Sequence, residues 1–132
     1  MKILNNLSDV SKNPKAVTIG NFDGVHKGHQ ALINKTREAS TKNNVESLIF
    51  TFNKLPKEIF SPDTVQRLYD NKIKESILSS YKIDTLLSID FNEIKDYSAD
   101  FFCEEILIKK LNARYLIIGE NFKFGKDRSG DI

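Results

Sequence analysis

The sequence predicts an α/β protein, a parallel sheet with crossover helices. Short apolar runs alternate with segments of helical period along the whole chain. The resulting order, β-α-β-α-β-α-β, requires helical crossovers between parallel strands. Two glycine-rich stretches, Gly20–Gly28 and Gly119–Gly130, each follow a strand. Ligands of open α/β sheets sit beyond the carboxyl ends of the strands. Both stretches are therefore expected at one edge of the sheet, forming one composite site.

The first strand is Lys15 to Gly20, with Ala16, Val17 and Ile19 apolar and a glycine at its end. Gly28 to about Ser40 has helical period, and Leu32, Ile33, Thr36 and Ala39 can share one face. Glu46 to Phe52 is rich in strand formers. Lys54 to Val65 carries Pro56 and Pro62 and predicts mostly loop. Gln66 to Tyr81 predicts a helix, with Tyr69, Ile73 and Ile77 spaced by four. Thr85 to Ile89 is the third strand. Ser98 is a candidate N-cap, and Asp100 in the following turn suits the positive end of a helix. That helix carries Cys103, Leu107 and Leu111 at spacing four, beside Phe102 and Ile106. Tyr115 to Ile118 is the fourth strand, ending at Gly119. Asn121 to Ile132 is a polar, glycine-containing tail.

Composition narrows the functional classes. A chain of 132 residues suits one domain. With 39% hydrophobic and 29% charged residues it is expected to fold rather than remain disordered. A net charge of +2 gives no basic glove for nucleic acid. No apolar run approaches the roughly 20 residues of a membrane span, and the N-terminus has no signal-peptide core. One cysteine, Cys103, excludes an internal disulfide and a cysteine zinc cluster. Its helical spacing with Leu107 and Leu111 predicts a packing thiol. A reduced, cytoplasmic protein is the expectation. Oligomeric state is not legible.

The densest feature is Gly20-Asn21-Phe22-Asp23-Gly24-Val25-His26-Lys27-Gly28-His29. Its glycines allow the backbone to approach a ligand closely. The helix that follows offers free N–H groups and a positive dipole end to an anion. Both histidines of the chain lie here, three residues apart. The pattern is suited to holding phosphate. A metal reading is weaker, since only Asp23 stands near as a third ligand.

His26-Lys27-Gly28-His29 is the His-x-Gly-His signature of the nucleotidyltransferase superfamily. The longer string from Val17 to Gln30 resembles the FMN adenylyltransferase module of the prokaryotic bifunctional FAD synthetases. Gly119-Glu120-Asn121-Phe122-Lys123-Phe124-Gly125, continuing to Gly130, resembles that family's second glycine signature. The resemblance implies a Rossmann-like nucleotidyltransferase fold. It implies transfer of AMP from magnesium-ATP to FMN, giving FAD and pyrophosphate. His26 and His29 would be the catalytic donors to the triphosphate. Gly20, Asn21, Phe22, Asp23, Gly24, Gly28 and Asn121 would bind nucleotide. Asn121, Phe124 and Phe60 would lie beside the flavin. ATP and FMN are the partners expected, with neither nucleic acid nor membrane, and no protein metal site.

Two departures from the family stand in the sequence. The family string Phe-x-Pro-His-Pro reads here Phe52-Asn53-Lys54-Leu55-Pro56, without the histidine and one proline. The family's Ser-Ser/Thr-x-x-Arg string, which grips ATP phosphates, does not occur before Ile132. The expectation is an incomplete adenylyltransferase domain over 1–132, truncated at the C-terminus, without a riboflavin kinase domain. Two alternatives follow. One is a module that holds flavin or adenine nucleotide without turnover, which the missing string favours. The other is a related nucleotidyltransferase with another phosphate acceptor.

Overall fold

A computed structural model describes residues 1–22, 27–54 and 64–119. Five strands form one parallel sheet: β1 (Lys2–Leu4), β2 (Lys15–Ile19), β3 (Glu46–Lys54), β4 (Thr85–Asp90) and β5 (Ala113–Ile117). Their spatial order is β1-β4-β3-β2-β5. The helices are α1 (Lys27–Asn43), α2 (Thr64–Ser79) and α3, which opens at Ala99–Phe101 and continues as a π-helix over Phe102–Lys110.

The strand order explains the layers. From β2 the chain steps outward through α1 to β3 and through α2 to β4. It then reverses, and α3 carries it back across to the far side of β2. Crossovers keep one hand, so reversing direction moves the crossover helix to the opposite face. The two core clusters record this. Ile33 of α1 and Leu78 of α2 pack with Ile49 and Leu86 on one face. Phe102, Ile106 and Leu107 of α3, with Leu111 just past its end, pack with Val17, Leu48, Phe50 and Leu87 on the other. Successive strand residues alternate between the clusters, as the pleat requires.

Helix ends follow local chemistry. Ser98 accepts a hydrogen bond from the Phe101 N–H at 3.1 Å, as the N-cap reading predicts. Asn44, Lys82 and Asn112 take left-handed backbone, with φ of 54°, 58° and 53°, just past the three helices. Asparagine tolerates that conformation better than most residues, which suits two of the three positions. Within α3 the Leu111 N–H reaches the Ile106 carbonyl at 2.9 Å, the wider π spacing.

Two expectations change, and the fold settles which face of α2 is buried. The sheet gains a strand, β1, because Lys2–Leu4 pairs in parallel with β4. Three residues carry too little pattern to be read locally. The fourth predicted strand begins earlier, at Ala113, and ends at Ile117. On α2, the row through Ile73 and Ile77 faces outward, with these residues 43% and 40% exposed. The neighbouring row, Lys74 and Leu78, is the buried one. Most of the predicted loop between β3 and α2 lies outside the described residues, as does the tail after Gly119.

Candidate active site at the β2–β5 crevice

The direction of strand addition reverses between β2 and β5, which are direct neighbours. Such a switch point opens a crevice at the carboxyl edge of the sheet. Gly20 leaves β2 there, and Ile118-Gly119 leaves β5 there. The start of α1 completes the group. A Cβ placed on Gly119 would come 3.9 Å from the Leu32 side chain of that helix. The expected composite edge is thus formed by two adjacent strands and one helix.

The turn out of β2 is tightly held. The Gly20 N–H extends the ladder by one bond, to the Phe50 carbonyl at 3.1 Å. The Asn21 carbonyl accepts from the Thr51 hydroxyl at 3.0 Å and from the Lys74 ammonium at 2.9 Å. Phe22 adopts left-handed backbone, with φ 55°. A non-glycine residue pays about 1–2 kcal/mol for that. Its fully buried ring, packed with Ile33, Ile49 and Leu78, offsets the cost. The ring also fills the space above Gly20: a Cβ there would lie 3.1 Å from Phe22 Cε2. Glycine at position 20 is therefore explained by close approach.

His29 stands in the first turn of α1, half-buried, with its ring tilted against Phe22 at a centroid distance of 5.0 Å. Lys27 and Gly28 beside it are exposed. No acidic residue occupies that first turn, so the helix's own side chains leave its positive end open to an anion. The predicted residues Gly20, Asn21, Phe22, Gly28 and His29 thus converge on one edge. The Phe22 side chain is in the core, which leaves only its backbone facing that edge. His26, Asp23, Gly24, Phe60, Asn121 and Phe124 lie outside the described residues.

Two residues of this edge carry no sequence signal. Thr51 and Lys74 sit on β3 and α2, and both reach the turn. A lysine one position from an isoleucine row reads as a solvated helix residue. The available hint was Leu78, four residues further, which is fully buried. Asn53, at the variable position of the family string, donates to the Ser88 carbonyl at 3.1 Å. Among the described residues, no three His, Cys, Asp or Glu side chains converge to hold a metal ion.

The sequence profile of the FAD synthetase family matches residues 8–132. The chain belongs to the FAD synthetase family. Relatives named bifunctional riboflavin kinase/FMN adenylyltransferase agree. The one from Buchnera aphidicola of Schizaphis graminum is 40% identical over 131 residues, covering 98% of this chain and 42% of that protein. The one from Escherichia coli K12 is 33% identical over 137 residues, covering 100% of this chain and 44% of that protein. The chain therefore spans less than half the length of these relatives. A crystal structure described as a macrolide-efflux protein from Streptococcus pneumoniae shares the fold, with a TM-score of 0.77 and 27% identity. It covers 96% of this chain and 50% of that one. Among the described residues, no helix is long and apolar enough to cross a membrane.

Proposed function

We propose that this chain carries the adenylyl-transfer site of an FAD synthetase. An oxygen of the FMN phosphate attacks the α-phosphorus of ATP. The bond from that phosphorus to the bridging oxygen breaks, and pyrophosphate leaves with FAD as product. The carrying observation is the crevice between β2 and β5, where the His-x-Gly-His turn and the second glycine stretch both begin. The chain's membership of the family supports ATP and FMN as the substrates for that crevice.

No covalent enzyme intermediate is needed. The site works by positioning and by meeting charge as it moves to the leaving pyrophosphate. His26 and His29 would donate to the triphosphate. Backbone at Gly20, Gly24 and Gly28 would approach it, and Asn21 and Asp23 would shape the turn. Asn121, Phe124 and Phe60 would receive the flavin. Magnesium would arrive as part of the ATP substrate, neutralising phosphate charge. A single thiol, half-buried at Cys103, suits a reducing compartment such as the cytoplasm.

The test is FAD formation from FMN and magnesium-ATP, followed by chromatography. His29→Ala should lower kcat by about 10²–10³, equivalent to roughly 3–4 kcal/mol, with the fold retained. Tight binding of both substrates with no FAD formed would replace transfer by simple nucleotide holding. Transfer of AMP to another phosphate ester, but not to FMN, would change the acceptor.

A further inference from the structure

Lys74 is 5% exposed and lies on α2, distant in sequence from both glycine stretches. An ammonium leaves water at a high cost unless strong acceptors replace its hydration. Two main-chain carbonyls are among its acceptors here: Asn21 at 2.9 Å and Phe52 at 3.1 Å. The Thr51 hydroxyl stands at 3.5 Å. That hydroxyl also donates to the Asn21 carbonyl at 3.0 Å. One carbonyl thus receives two donors from two different elements, β3 and α2.

The position of that carbonyl matters. Asn21 is the first residue beyond Gly20, where the chain leaves β2 for the candidate phosphate turn. The peptide that joins Asn21 to Phe22 is planar and trans, so its C=O and N–H point in opposite directions. Fixing the Asn21 oxygen against Lys74 fixes the plane. It also turns the Phe22 N–H away from that ammonium, at the peptide that leads into the left-handed Phe22, φ 55°. A leucine or methionine would fill the same space without the desolvation cost. What the lysine adds is a fixed orientation for this peptide and a tie from it to the end of β3.

We propose that Lys74 is a positioning residue, whose buried ammonium sets the Asn21–Phe22 peptide, at the exit from β2, before an anionic ligand arrives. Its kinetic consequence rests on the adenylyl-transfer reading above; its structural consequence does not. Lys74→Met keeps the stem and removes the donors. Amide hydrogen exchange should then accelerate at Phe22 by about tenfold or more, with the amides of β4 unchanged, as expected for losing bonds to a charged group. Magnesium-ATP should restore part of the protection. The ATP dissociation constant should weaken by about tenfold, since binding must now fix the Asn21–Phe22 peptide. Thr51→Val should act in the same direction by less, and the two effects should be non-additive because both pass through one carbonyl.

Unchanged exchange at Phe22, or acceleration spread evenly over the sheet, overturns the proposal. If Lys74→Met does not fold, the same comparison on Thr51→Val decides it, and an unaltered turn there overturns it equally. If the wild-type protein makes no FAD, adenylyl transfer falls, and the exchange at Phe22 alone settles Lys74.

Discussion

The ring of Phe22 packs against the imidazole of His29, with centroids 5.0 Å apart and planes inclined by 58°. The same ring lies where a side chain on Gly20 would begin. One buried aromatic therefore joins the end of β2 to the first turn of α1. Tertiary packing sets the spacing between the two halves of the motif.

Gly20→Ala should test this contact. No positive φ requires glycine there, so the penalty comes from the methyl meeting the ring at 3.1 Å. Overpacking of this kind costs about 1–3 kcal/mol. The urea midpoint should fall accordingly, and adding Phe22→Leu should recover part of the loss. An unchanged midpoint for Gly20→Ala would mean that the ring yields freely and does not set the turn.

Acid stability should depend on Glu46. Its carboxylate accepts from Asn13 Nδ2 at 3.0 Å and from the Ser11 hydroxyl at 2.7 Å, joining the loop before β2 to the start of β3. The Asn13 bond holds its pKa below the ordinary 4.5; burial opposes this, while Ser11, Lys15 and Lys2 add to it. The folded pKa is the lower one. Glu46 thus contributes stability above its unfolded pKa, and that contribution is lost as pH falls through the folded value. Glu46→Gln should be less stable at neutral pH, and the gap should shrink in acid. Urea midpoints across that range give the answer; a gap independent of pH would sink the assignment.

Cys103 should be a slow thiol. Burial pushes its pKa above the ordinary 9.0, and the Asp100 and Glu104 carboxylates add to the shift. The thiolate is the reactive form, so little of it is present at neutral pH. Reaction with a disulfide reagent should be slower in the folded protein than in urea. The gap should narrow as pH rises. Equal rates in both states would show that neither burial nor charge protects the thiol.

Much of the fold was legible from local pattern. The cores of β2, β3, β4 and β5 lie where strand formers cluster, and Ser98 caps the helix it precedes. The glycine stretches sit at strand ends because turn chemistry is local. β1 was not legible, because three residues at Lys2–Leu4 gain strand structure only from pairing with Thr85–Leu87. Nor was the π-helical spacing of Phe102–Lys110, which an apolar period near four does not separate from an α-helix.

The sequence by itself determined the alternating α/β order and the glycine-rich stretch between β2 and α1. Tertiary structure decided which strands are neighbours. The reversal after β4 seats β5 beside β2, and handed crossovers then send α3 to the other face. It also decided the phase of α2. Hydropathy favours burying Ile73 and Ile77, yet the helix turns Lys74 and Leu78 inward. The physical reason is that the carbonyls of Asn21 and Phe52, distant in sequence, converge where only a donor can satisfy them. No local pattern contains that convergence, because it exists only once β2, β3 and α2 are packed together.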